Sequence, residues 1–220
     1  MRRALICCCL TLWCLTVSLC QSNVFLMTNS QEIDPNRYQD IKGSPYLFGN
    51  WARGDIIDLQ GDLHTYILLN FNGYTGEVEV KLNDQFIELN EQDYKEIRVL
   101  SKENDPPMVF KSKVHEQFQG RFVQLIYQGS KINFIKDFNV VYSDEEIHNV
   151  GETLVVKRFA KQITYYLMAD GKLQLTKLRK KKILELLGHK KELESVIKHN
   201  RLDIQTEEGL TQLLDYYESM

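Results

Sequence analysis

Between Gly43 and Leu178 the chain is a succession of short runs in which apolar and polar residues alternate, broken by turn dipeptides. A period of two sends successive side chains to opposite faces of a strand, so these runs predict an antiparallel β-meander. Residues 63–71 and 77–82 are separated by Asn72-Gly73 and Gly76, and Asn83-Asp84 joins 77–82 to 85–89 as a two-residue hairpin. Within 77–82, Val78, Val80 and Leu82 are expected inward and the charged residues outward, which leaves one side of this sheet wet. Residues 120–127 and 131–142 predict a second hairpin about Gln128-Gly129-Ser130, with Phe122, Ile126, Ile132, Phe134 and Ile135 in its core. A third runs through 161–169, Asp170-Gly171 and 172–178. Two stretches read as loops: 101–107, where Pro106-Pro107 bars a strand or helix interior, and 143–151, acidic at Asp144-Glu145-Glu146.

After Leu178 the period lengthens. Ile183, Leu186 and Leu187 share a helical face that stops at Gly188, and Leu193, Val196 and Ile197 share another that stops at Asn200. Thr206 caps a third helix with Glu207 and Glu208 in its first turn and Leu210, Leu213, Leu214 and Tyr217 as its apolar stripe. Helices this short are marginal alone, so they are expected to pack on each other or on the sheet. The fold class is therefore α+β: an antiparallel meander, as a sandwich or partly closed barrel, followed by a small C-terminal helical bundle.

The start of the chain has a different character. Arg2 and Arg3 precede an apolar run, 4–17, and Ser18-Leu19-Cys20 offers small residues at the −3 and −1 positions of a cut before Gln21. Residues 1–20 are thus expected to be a signal peptide, too short to serve as a membrane span. An alternative makes Cys20 a lipidated N-terminus, with Val17-Ser18-Leu19-Cys20 as a lipobox. Leu19 then occupies a position where a small residue is usual. In a third reading the leader stays on as an anchor. All five cysteines lie in these twenty residues, so the mature chain is held by packing, without disulfides. The division expected is 1–20 signal peptide, 21–42 flexible lead-in, 43–178 β-rich domain and 179–220 helical tail packed on it.

Several of these segments together carry a resemblance. Gly43-Ser44-Pro45-Tyr46, the aromatic hairpin from Phe122 to Phe134, Tyr165-Tyr166-Leu167 with Asp170-Gly171-Lys172, and basic helices ending in Leu213-Leu214-Asp215-Tyr216-Tyr217 resemble an uncharacterised family of exported Bacteroidota proteins. The resemblance covers most of the mature chain and implies export, but it brings no activity to transfer.

Charge is arranged in stripes. Residues 21–171 carry −7, residues 172–201 carry +7 and residues 202–220 carry −5. The densest run, Lys177-Leu178-Arg179-Lys180-Lys181-Lys182, belongs to a basic segment, 177–191. Its plain interpretation is a solvated face paired with the acidic last helix. Its functional interpretation is peripheral contact with an anionic membrane surface through Lys177, Arg179, Lys180, Lys181 and Lys182. Export removes nucleic acid as a partner.

Catalytic and metal-binding patterns are weak. Ser195-Val196-Ile197-Lys198 has the Ser-x-x-Lys spacing of penicillin-binding enzymes without the companion motifs, and lies in an amphipathic helix. His64, His115, His148, His189 and His199 are dispersed, and Asp144-Glu145-Glu146 lacks the alternation of a calcium loop. Arg53-Gly54-Asp55 spells an adhesion tripeptide, which would need an exposed loop. No catalytic residue, metal or cofactor is assigned. The expectation is an extracytoplasmic protein, in the periplasm, on the outer-membrane face or secreted. It would act as a non-catalytic binding or structural module toward an envelope protein or ligand, with no transmembrane helix in the mature chain. The alternatives are an envelope hydrolase using acids of the sheet and a lipidated or membrane-surface factor using the basic helix.

Overall fold

Among the described residues eleven antiparallel strands form one continuous sheet, and three α-helices follow it. The computed structural model describes residues 30–100, 106–149 and 152–220. The expected leader, the cut at Gln21, residues 21–29 of the lead-in, Ser101 to Asp105 and Gly151 lie outside them.

The strands are β1 (Ser30–Glu32), β2 (Ala52–Asp58), β3 (Leu63–Asn72), β4 (Glu77–Leu82), β5 (Gln85–Leu89), β6 (Tyr94–Val99), β7 (Met108–Lys111), β8 (Val123–Gln128), β9 (Ile132–Asn149), β10 (Glu152–Ala169) and β11 (Lys172–Thr176). Their spatial order is β1-β5-β4-β3-β2-β6-β7-β8-β9-β10-β11. The predicted tight turns set the register. Asn83, at φ 56°, places Leu82 opposite Gln85, while Asp170 at 50° and Gly171 at 71° place Ala169 opposite Lys172. Positive φ at both central residues of Asp170-Gly171, and at the first of Asn83-Asp84, matches each two-residue turn to the twist of its strands.

Connection length then dictates curvature. β5 and β6 lie four strand spacings apart in the order, roughly 19 Å across a flat sheet. The four residues 90–93 that join them span at most about 17 Å from Leu89 to Tyr94. The sheet therefore curls, and its concave face closes over Ile56, Leu69, Val80, Leu89, Tyr94 and Ile97, all sealed from solvent. Among the described residues the strands form a single sheet that curls without closing, as expected of an antiparallel meander followed by a small helical end.

The other end is organised differently. The base of the β9–β10 hairpin, Ile132, Phe134 and Leu167, packs against α1 (Lys180–Leu187), α2 (Lys190–Asn200) and α3 (Glu207–Ser219). Helix ends fall where the capping residues place them: Gly188 at φ 69°, and Thr206 accepting the Gly209 amide at 3.0 Å. On α1 the buried residues are Ile183, Leu184 and Leu187, with Leu186 half-buried. The expected loop at 143–149 is instead strand: β9 and β10 are each 18 residues, so the hairpin is roughly 60 Å long and runs well past its neighbours β8 and β11. Cross-strand register continues through Glu146 opposite Val155. An acidic run does not end a strand whose partner offers Lys157 and Arg158, and Arg158 pairs with Glu145 at 3.2 Å.

The lead-in is also corrected. Order begins no later than Ser30, because β1 pairs with β5, thirteen residues before the Gly43 turn. The segment 42–47 then straps the two halves together: Lys42 bridges to Arg158 of β10, and Tyr46 bridges to Asn72 of β3. Beside this strap, Val140 of β9 donates its amide to the Gly73 carbonyl at 2.8 Å. Gly73 is packed so closely that a Cβ there would overlap the Phe138 ring.

Candidate functional site

Three polar constellations in the sheet have the composition of active sites, and each resolves into a different physical role. The first lies on the face of β3–β5 expected to be wet. Glu79 is 1% exposed. Its carboxylate accepts from Arg37 Nη2 at 2.6 Å, Asn72 Nδ2 at 2.7 Å and the Tyr46 hydroxyl at 2.9 Å. Strand alternation does send Glu79 away from the apolar core, as the sequence predicts. The strap then covers that face and turns it into a second interior, with the rings of Tyr38, Tyr74, Tyr142 and Phe159 packed together beside it, edge to face or tilted.

Three carboxyls crowd this network against a single arginine. Glu79 stands opposite Glu88 in the β4–β5 register, and Arg37 lies 4.0 Å from Glu88. Burial, together with a hydrogen bond to Glu77 and the charge of Glu77, pushes the Glu88 carboxyl up to about 7, with Arg37 opposing. Burial, reinforced by the negative charge of Glu79, raises the Tyr46 hydroxyl. These groups are bonded to one another and leave no open space beside Glu79 for a substrate.

The second constellation surrounds a cleft between the β3–β4 turn and β7–β9, lined by Phe71, Phe110, Phe122, Phe138, Glu77 and Arg121. It encloses only about 20 Å³, enough for one water. Its cations are already committed: Arg121 pairs with the buried Asp137 at 2.9 Å, and Lys136 pairs with Glu207 at 2.8 Å. Burial raises Asp137, and Arg121 opposes that shift. The third is the buried pair His64–Asp58, 3.3 Å apart, where Asp58 Oδ1 also accepts the Gly61 and Asp62 amides at 2.8 Å. Both side chains are enclosed, so the pair braces the β2–β3 turn.

The sequence-derived motifs behave as their surroundings dictate. Arg53-Gly54-Asp55 lies inside β2, where a Cβ on Gly54 would sit 2.8 Å from the Arg98 carbonyl and 2.9 Å from Leu69. It is not on an exposed loop. Ser195 and Lys198 lie on the exposed side of α2, and the His148 side chain is outside the described residues. Among the described residues no cluster of three or more His, Cys, Asp or Glu could hold a metal, and no helix is long and apolar enough to cross a membrane.

The basic run emerges where β11 ends and α1 begins. Lys177, Arg179, Lys180, Lys181 and Lys182 are all exposed, and their side chains have no ion pair or hydrogen bond among the described residues. Among the described residues no carboxylate of the acidic last helix pairs with them, and two of its acids are spent on the sheet. Glu207 binds Lys136 and the Tyr165 hydroxyl, at 2.8 and 2.7 Å. Glu218 gathers the amides of Ser130, Lys131 and Ile132 and the Ser130 hydroxyl, at 2.7 to 3.1 Å, which lowers its carboxyl. The run also sits at the positive end of the α1 dipole, with Arg179 at an N-cap that makes no side-chain capping bond. Cations there oppose the helix they begin.

No protein-family model, curated protein or solved structure matches the chain.

Proposed function

We propose that this chain is an exported, non-catalytic binding module whose contact surface is the cationic segment at the start of its helical tail. The observation that supports it is the contrast in pairing. Glu79, Asp137, Lys136, Glu207 and Glu218 each have charged or hydrogen-bonding partners in the fold, whereas the side chains of Lys177, Arg179, Lys180, Lys181 and Lys182 have none among the described residues. Five unpaired cations on six consecutive residues repel one another, and an anionic partner offsets that repulsion. The hydrolase alternative, with acids of the sheet, finds little room at those acids: the cleft beside Glu77 and Asp137 holds about one water and its cations are tied up, while the roomier cavity of about 430 Å³, beside Glu91, His115 and Glu116, is lined from outside the strands. Export rests on Arg2, Arg3 and the apolar run that follows them.

Two measurements test the two parts of this reading. Mass spectrometry of the processed chain should find Gln21 as its first residue; an N-terminus at Met1, or an acylated Cys20, would overturn cleavage before Gln21. On immobilised polyphosphate the chain should be retained at about 0.1 M salt and released at about 1 M, where screening shortens to roughly 3 Å. The variant Lys180→Glu/Lys181→Glu/Lys182→Glu should pass straight through. Equal retention of variant and wild type would remove the cationic surface as the binding site.

A further inference from the structure

The partner of this surface can be named more closely, in a step that rests on the cationic reading above. We infer that the β11–α1 shoulder docks edge-on against an anionic lipid bilayer, with Leu175 and Ile163 entering the interface between the cations.

The geometry supplies two signals at one edge. β11 is the last strand of the sheet, so its outer edge has no neighbouring strand. The final β10–β11 pair is Tyr165 with Thr176, which puts Lys177 and Arg179 level with the stretch of β10 where the hairpin leaves the body. Leu175 lies one residue before this pair on β11 and is 61% exposed; Ile163 lies two residues beyond it on β10 and is 51% exposed. Register puts Leu175 on the face shared with Tyr166 and Ile163 on the face shared with Tyr165, so they flank the edge from opposite sides. An edge-on approach brings both to the surface together with Lys172, Lys177 and the first turn of α1.

A bilayer fits this pairing better than a dissolved polyanion does. A polymer in water gives no gain for an exposed leucine beside the cations, while the headgroup boundary accepts apolar side chains and attracts lysines at once. A nucleic-acid strand would be expected to meet a groove with aromatic stacking platforms, and the exposed residues from Lys177 to Lys182 include no aromatic ring. Cationic attraction alone is marginal and salt-sensitive, and one or two inserted aliphatic side chains are the kind of second signal that makes peripheral binding stable.

The test uses the processed chain, its N-terminus established by mass spectrometry, and sedimentation with vesicles. These contain either phosphatidylcholine alone or phosphatidylcholine with phosphatidylglycerol; soluble polyphosphate serves as a third, lipid-free probe. The inference expects binding to the anionic vesicles only, weakened about a hundredfold by Lys180→Gln/Lys181→Gln/Lys182→Gln. It also expects a loss of roughly tenfold for each of Leu175→Ser and Ile163→Ser, with polyphosphate binding unchanged by either. Tryptophan placed by Leu175→Trp should shift its emission to the blue on adding anionic vesicles. If both serine variants bind vesicles as wild type does and the tryptophan emission stays put, bilayer docking is wrong while the cationic surface stands. If wild type binds neither vesicles nor polyphosphate, the cationic reading itself falls. Tighter binding to polyphosphate than to anionic vesicles assigns the surface to a soluble polymer and overturns the inference.

Discussion

Glu79 and Lys181 are both charged residues in runs that the sequence marks as solvated, yet the fold treats them in opposite ways. Glu79 is buried under the strap and holds three donors, while Lys181 stands in water with none. The difference separates charge that builds the protein from charge that is left over for something else. A paired, enclosed carboxylate is costly to disturb because its partners are stranded with it. An exposed, unpaired lysine contributes almost nothing to stability, so its presence in a cluster calls for another account.

The largest effect expected follows from breaking the first kind of charge. Glu79→Ala strands Arg37 and Asn72 beneath the strap and should cost about 3–5 kcal/mol in chemical denaturation. Lys181→Ala should stay within about 0.5 kcal/mol of wild type. A cost below about 1 kcal/mol for Glu79→Ala would show that water reaches the network and that the two charges are not so different. Loosening of the strap should also show as faster amide exchange at Leu47, Gly73 and Val140, whose hydrogen bonds hold or adjoin it.

How much of this contrast could be read in advance depends on the range of the interaction. Local patterns carried the hairpins: Asn83-Asp84 and Asp170-Gly171 fix turns within four residues, and both registers follow. Thr206 and Gly188 likewise mark their helix ends within one turn. The faces of β4 were also legible, since Val78, Val80 and Leu82 are buried on one side. What lay beyond reach was the covering of the other side, because Arg37 and Tyr46 lie 42 and 33 residues before Glu79 in a stretch with no period to betray its contacts. Asn70, Asn72 and Glu79 on one strand face, with Arg37, Tyr38 and Tyr46 upstream, were the available hint. The same limit applies to the tail. A basic run followed by an acidic helix suggested that the two pair, whereas Glu207 and Glu218 reach Lys136 and the β8–β9 turn instead. In the basic run only composition is local, and only the tertiary fold reveals which of its charges lack partners among the described residues.

Glu88 lies between the two extremes, half-enclosed beside the carboxylate of Glu77, and it gives the comparison a pH axis. Its carboxyl is raised to about 7 in the fold against about 4.5 in the unfolded chain, so folding favours the protonated form. The corresponding stability is fully present below pH 4.5 and is lost as pH rises through 7. Because the group is partly solvated, the loss should be about 1 kcal/mol rather than the full linkage value. Glu88→Gln should flatten the stability curve between pH 5 and 8 and leave the variant more stable than wild type at pH 8. A parallel pair of curves would show that Glu88 is not the group whose protonation favours the fold.

The smallest effect is the one that isolates the unpaired charge. If the basic run served the fold, neutralising it would destabilise the tail; at the positive end of the α1 dipole the opposite sign is expected. Lys180→Gln/Lys181→Gln/Lys182→Gln should raise stability by a few tenths of a kcal/mol at low salt, and the gain should vanish near 1 M salt as screening removes both the dipole and the mutual repulsion. Amide exchange along Ile183 to Leu187 should slow in step. Because the same three substitutions are expected to weaken binding to anionic vesicles about a hundredfold, a variant that is more stable yet binds that much less would show that these lysines are kept at the expense of the helix they begin.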